Sequence, residues 1–399
     1  MKKLSQAIME RLPKYVEKIE FMREQIITNS ILIGQIPPVE INTKADDLVI
    51  PTTNLRVRAY LQRLSELGLQ EVSTDPAGNA VGIITGNRSG GSCIAVAAHM
   101  DTAYQFDQEV SFLVSDEFIS GPGIIDNSIS LGILLSLPEI IEELGISLNS
   151  DILLLGLAKS LAEQNLSGIR GFLKHWQHPI RGGVVLEGVE LGRLNYFSRA
   201  MMRTNITCTI PRISGWENKY GNNAIIILNE IMNKILEIHL PQRPHTQIII
   251  GKIRGGVKHG DLALSAQMGL EIESNADTMV QKVYSQIEDI IDSVKHENLV
   301  NISTTILSNV SANRLEYTHP LVKTAVDSLE ALEISPIIES SESELSIFLE
   351  HRIPAITIGL TYGENYHEEN ARIAIPPLLK GIAQLIGIIE AIDQGIIDE

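Results

Sequence analysis

Several residues that can serve a divalent ion stand at the ends of apolar runs in this chain. His99 and Asp101 close SCIAVAAHMD, Asp126 follows GPGII, Glu187 follows GVVL, and His367 lies in GENYHEEN after AITIGL. An imidazole and two carboxylates leaving buried strands make a nitrogen and oxygen donor set, so His99, Asp126 and Glu187 are read as one coordination shell. The two-residue spacing of His99 and Asp101 puts both on one face of a strand, which makes Asp101 the expected supporting acid that orients the imidazole. The glycines before Asp126 allow the tight backbone course that a crowded strand-end pocket demands. His367 can lend an imidazole to a second ion sharing Asp126, yet those two side chains fall short of the three or four donors a transition ion normally takes. Singly, each piece also reads as a polar loop pair, a capping acid or an edge carboxylate.

The elements that must position these residues alternate. SCIAVAAHMD and DILLLGLA are buried strands, and GPGIIDNSISLGILLSLPEIIEELGI combines a glycine turn with a long apolar helix. That order predicts an α/β domain with its site at strand ends. From about residue 197 the pattern becomes strand, helix, two strands, helix and strand, a βαββαβ order suited to a ferredoxin-like α+β layer. The first pattern returns with the helix around LVKTAVDSLEALE, the strand AITIGL and the helix PPLLKGIAQLIGIIEAI. Residues 1–196 and 309–399 are therefore expected to form one discontinuous domain, with 197–308 inserted into it. The serine-rich acidic segment IIESSESELS is expected to be a solvated loop.

With 399 residues, 44% hydrophobic and 20% charged, the chain can bury two cores. Its net charge of -17 disfavours nucleic acid and anionic membrane surfaces. Only Cys93 and Cys208 are present, both in apolar runs, which points to buried thiols and a reducing, cytoplasmic setting. The N-terminal MKKLSQAIMERLPKYVEKIEFM scatters charge through an amphipathic helical pattern, so neither a signal peptide nor a membrane span is expected.

Taken together, the motifs HMDT, GPGIIDNS, VVLEG and IPAITIG with its following histidine resemble the M20 metallopeptidase family of co-catalytic zinc aminopeptidases, deacylases and carboxypeptidases, and the likeness spans most of the chain. The resemblance implies a dinuclear zinc domain interrupted by a lid domain that commonly makes a homodimer, and a small peptide or N-acyl amino acid as substrate. It matches His99, Asp126 and Glu187 to one metal shell, Asp126 also to the bridge, Asp101 to the histidine-supporting acid, and His367 to a ligand of the other metal.

The same resemblance exposes departures. The family's adjacent glutamates, a general base and a metal ligand, fall at Ser160 and Leu161 when anchored on LSGIRG. Leucine has no donor electrons, and a serine hydroxyl does not hold a water proton reversibly near neutral pH. A shift of two or three residues would offer Glu163 as a replacement base. In the lid, a substrate-facing histidine becomes Ser214 and an arginine falls near Glu273, which exchanges a positive contact for a negative one. An asparagine before the final strand becomes Ser346, and His259 in GGVKHGDL reads as an exposed lid histidine.

Two readings follow. In the first, the chain is a degenerate relative, catalytically impaired or noncatalytic, holding zero or one zinc and a peptide-like ligand. In the second, it is an active metal-dependent peptidase or N-acyl-amino-acid amidohydrolase with two zinc ions and a relocated base such as Glu163.

Overall fold

Proline shapes the first element: Pro13 stands in the opening turn of a new helix, where its missing N–H costs nothing. The leading amphipathic stretch is thus broken into Lys2–Met9, Leu12–Ile19 and Arg23–Gly34. The structure, a computed structural model, describes residues 2–36, 55–69, 71–88, 91–102, 110–161, 165–211, 222–298 and 300–397. It divides into two compact units, one made of Met1–Phe197 with Arg314–Glu399, the other of Ser198–Asn313.

In the first unit an eight-stranded sheet has at its centre four mutually parallel strands, in the order Asp151–Leu157, Cys93–His99, Ile180–Val189 and Ala355–Thr361. All seven residues of Cys93–His99 are buried, as strands covered on both faces must be. The hairpin of Glu71–Thr74 and Ala80–Ile84 extends one edge antiparallel, while Arg193–Asn195 and Ile337–Ile338 close the other. A smaller four-stranded sheet is built from Gly363–Glu364, Arg372–Ala374, Phe118–Ser120 and Leu113–Val114.

Helices cover the main sheet. Ile129–Glu143 buries most of its length, and Ile375–Asp393 is buried on nearly every face. The helical stretches Ile124–Glu143 and Ile375–Asp393 are long and apolar enough to cross a membrane, but 83% of each apolar window is packed inside the protein, as expected of core helices.

The second unit is a four-stranded antiparallel sheet in the order Thr246–Gly255, Ser265–Ser274, Ala200–Thr209 and Asn301–Val310. Helices Ala224–Leu236 and Asp277–Asn298 pack their apolar residues against it. This is the ferredoxin-like arrangement that the βαββαβ pattern suggests. The unit runs to Asn313, beyond residue 308, because its closing strand continues to Val310.

The acidic serine-rich segment departs from expectation. It is not a solvated loop: helix Leu345–Glu350 begins within it, and Ser341, Glu344 and Ser346 are all buried. The apolar residues of LSIFL draw the segment into the core, and the acid immediately before them goes with it.

Candidate metal centre

Residues from four separate stretches of the first unit meet at the carboxyl ends of the parallel strands, where open α/β sheets place their ligands. His99 is the last residue of its strand, and Glu187 leaves Ile180–Val189 opposite Gly359 of the neighbouring strand. Asp126 sits in a sharp turn behind Gly123, which adopts the left-handed backbone that favours glycine (φ 66°). The ligand atoms of His99, Asp126 and Glu187 lie within 4.8 Å of one another. His99 Nε2 is 2.9 Å from Asp126 Oδ1, and His367 Nδ1 is 3.7 Å from Asp126 Oδ2. His367 is 60% exposed and itself has a left-handed backbone (φ 61°).

The Asp126 turn is held from two sides. Asn127 Nδ2 donates to the Leu186 carbonyl at 2.9 Å, tying the turn to the strand that carries Glu187. A Cβ at Gly188 would stand 2.2 Å from the Ile125 carbonyl, so glycine there lets strand and turn make backbone contact. On the other side the fully buried guanidinium of Arg56 donates through Nη2 to Ser128 Oγ, through Nη1 to the Met100 carbonyl and through Nε to the Ile36 carbonyl. Arg56 thereby joins the corner after His99 to the turn that carries Asp126. Burial lowers its pKa to about 10, and the nearby Asp101 and Asp126 carboxylates oppose that fall.

Asp101 requires a correction. Its carboxylate does not orient His99: the ring's Nδ1 is bonded instead to the Asp101 main-chain carbonyl at 2.8 Å. That acceptor fixes the proton on Nδ1 and turns Nε2 towards Asp126. The carboxylate faces the segment after strand Asp151–Leu157, where it accepts from the amides of Lys159 (3.2 Å), Ser160 (2.5 Å) and Leu161 (3.2 Å). A left-handed Lys159 (φ 59°) turns these donors in one direction, as in an anion-binding nest.

Ser160 Oγ is buried and has no hydrogen-bond partner among the described residues. Glu163 and Ser214 lie outside the described residues. In the second unit, Glu273 accepts from Gln247 Nε2 at 2.6 Å and lies 3.8 Å from Arg199 Nη1, while His259 is exposed. Ser346 Oγ donates to the Ser343 carbonyl at 2.8 Å.

Two residues near the centre escaped the sequence reading. Arg56 falls within an ordinary amphipathic pattern in NLRVRAYLQRL, where nothing marks its buried role. Glu344 is 1% exposed, its Oε1 has no hydrogen-bond partner among the described residues, and its charge acts on both Glu187 and His99. The apolar helical turn that follows it was the signal available in the sequence.

Electrostatics bind the cluster together. Burial disfavours the His99 imidazolium, but the Asp126 carboxylate and its hydrogen bond, with Glu187 and Glu344 beyond, push the ring up to about 10. Burial raises Asp126, but the His99 imidazolium and its hydrogen bond, together with His367 and Arg56, hold the carboxyl below its usual range. Glu187 is pushed up to about 7, chiefly by burial and then by its acidic neighbours, against the pull of His99.

The donor set fits one ion. One imidazole nitrogen and two carboxylates are the ligand types that hold zinc while leaving a coordination position open. On the other oxygen of Asp126, His367 is the second donor, and among the described residues no third histidine, cysteine or acid groups with these two. Among the described residues a second ion therefore lacks a sufficient shell.

No protein-family model matches the sequence, and no curated protein does. Solved structures match it through their fold. The aminopeptidase PepT from Bacillus cereus is 17% identical, with 93% of this chain and 98% of that one covered at a TM-score of 0.68. A tripeptidase from Staphylococcus aureus is 19% identical over 93% and 99% of the two chains, TM-score 0.72. The YXEP protein of Bacillus subtilis, described as a dinuclear metal binding peptidase from the M20 family, is 10% identical over 93% and 98%, TM-score 0.60. The chain thus has the fold of these M20-type peptidases, a mixed α/β unit with a smaller α+β unit inserted in its sequence.

Proposed function

We propose that this chain is a degenerate member of the M20 metallopeptidase family, catalytically impaired or noncatalytic, which holds one zinc ion at His99, Asp126 and Glu187 and binds a small peptide-like ligand. The observation that carries this reading is the segment 159–161. Where active relatives are expected to present a general base and a metal-binding acid, this chain turns three backbone amides onto Asp101 and buries an unpartnered Ser160 hydroxyl.

A bound zinc ion would supply Lewis acidity towards a carbonyl oxygen of the ligand. The chain's own residues do the rest. The Asp101 carbonyl sets the tautomer of His99, Asn127 and Arg56 hold the Asp126 turn, and Glu187 brings a half-buried carboxylate to the same point. No described side chain stands in the place of the proton carrier that amide hydrolysis needs between water and leaving amine.

The inserted unit offers a surface for a homodimer. Its edge strand Thr246–Gly255 exposes Ile249 and Ile253, and Ile226 and Val257 are exposed as well. A cytoplasmic setting belongs to the same reading and is in keeping with two free, buried cysteines.

The deciding experiment is elemental analysis of the purified protein titrated with zinc, alongside hydrolysis of a panel of dipeptides and N-acyl amino acids. One zinc per chain without turnover is the expected result. Two ions per chain with turnover abolished in Glu163→Gln would overturn it in favour of an active amidohydrolase with a relocated base.

A further inference from the structure

A carboxylate that is 1% exposed, with one oxygen that accepts no hydrogen bond among the described residues, is expensive to keep, because burial strips the hydration of that oxygen without supplying a donor from them. Glu344 is such a group. It stands immediately before helix Leu345–Glu350, and its charge is felt at Glu187 and at His99, two of the three residues that form the donor set. Two other acids nearby have partners within the fold: Asp101 takes three amides, and Asp126 takes the His99 imidazole. Glu344 adds a further negative charge without receiving a donor at Oε1.

A buried acid of this kind makes sense if the centre is completed by a cation. From its burial and its unpartnered oxygen, we infer that Glu344 belongs to the cation site as a third acidic side chain, acting on the ion from outside the three closest donors. The inference rests on the single-ion reading of His99, Asp126 and Glu187. In this role Glu344 is a positioning residue: it deepens the negative potential where the ion sits and offers Oε1 as acceptor to a donor group bound there.

The test compares the full-length wild-type protein with Glu344→Gln, which keeps the shape and removes the charge. Zinc affinity is measured by competition with a chelating indicator, and thermal unfolding is followed with and without zinc. Affinity is expected to fall about 10- to 100-fold, the range seen when an outer partner of a metal site is lost. The zinc-free variant is expected to melt at a higher temperature than zinc-free wild type, because a buried unpartnered charge has gone. Loss of a purely structural glutamate would leave zinc affinity unchanged and make the zinc-free variant less stable.

Unchanged zinc affinity in the folded variant overturns the inference and leaves the three-residue site standing. A zinc-free variant less stable than wild type overturns it too, since the carboxylate would then be bonded within the fold. Wild-type protein that binds no zinc overturns the single-ion reading and this inference with it.

Discussion

The amide of Ser160 donates to Asp101 Oδ2 at 2.5 Å, and the flanking amides of Lys159 and Leu161 close on the same carboxylate. An acid placed two residues after His99 thus anchors the segment that follows the neighbouring strand Asp151–Leu157. Asp101→Asn replaces one accepting oxygen with a donor that faces backbone N–H groups. Urea unfolding should show a loss of about 1–3 kcal/mol, the usual cost of leaving partly buried donors unpaired. Unaltered stability would mean that the nest does not hold the segment.

Zinc and protons should compete. With His99 raised to about 10 and Glu187 to about 7, zinc at pH 8 displaces essentially one proton, from His99, and below about 7 it displaces a second from Glu187. Affinity should therefore rise with pH, steeply below pH 7 and by about tenfold per unit above it. Calorimetric titration in buffers of different ionisation enthalpy counts the released protons, and a pH-independent affinity from 6 to 9 would refute the scheme.

The zinc-free protein should respond to pH in the opposite sense. Both groups have folded-state values above their ordinary ones, 6.5 for His99 and 4.5 for Glu187, so both bind more protons when folded. The contribution of Glu187 is complete below about 4.5 and is lost by about 7, while that of His99 persists to about 6.5 and fades towards 10. Chelator-treated protein should accordingly melt at lower temperature at pH 8.5 than at pH 6. A flat or rising profile would contradict the ion pair.

Arg56 satisfies three acceptors from three separate segments with one planar group. Arg56→Met leaves the Met100 carbonyl and Ser128 Oγ without their donor and removes a positive charge between two acids, a loss of about 3–5 kcal/mol. Arg56→Lys should recover only part of this, because a single ammonium does not reproduce the fork. Chemical denaturation of the pair measures both, and full rescue by lysine would show that charge alone matters.

Gly188→Ala tests the contact between strand and turn. The added methyl group would stand 2.2 Å from the Ile125 carbonyl and 2.8 Å from Ile129 Cγ2, so the Asp126 turn must retreat from Glu187. Zinc affinity should fall together with stability, whereas Gly145→Ala, with open space around its Cβ, should leave zinc affinity unchanged.

The alternation of apolar runs made the α/β unit and the βαββαβ unit legible, since period and order survive in a single sequence. His99, Asp126 and Glu187 were legible as candidates because each ends or follows a buried run, and their convergence is a consequence of parallel strands ending on one edge. Asp101 was misread: residue spacing gives the face of a strand but not whether a carbonyl or a carboxylate reaches the ring. Glu344 was hidden by composition, because serines and glutamates signal solvent until the apolar turn behind them pulls one inward. Arg56 was hidden by periodicity, since an arginine in an amphipathic helix ordinarily extends its charge to water.

The neck of the inserted unit has a practical consequence. Phe197 and Arg314 form an antiparallel bridge, the Leu315 amide donates to the Tyr196 carbonyl at 2.9 Å, and the Ser198 amide donates to the Asn313 carbonyl at 2.8 Å. The outgoing and returning chains run side by side there, as in a hairpin whose tip has been replaced by a whole domain. A few glycines joining Tyr196 to Leu315 would restore an ordinary hairpin turn, so the 116 residues from Ser198 to Asn313 form a cassette that can be cut out and grafted without rethreading the sheet that carries the acids.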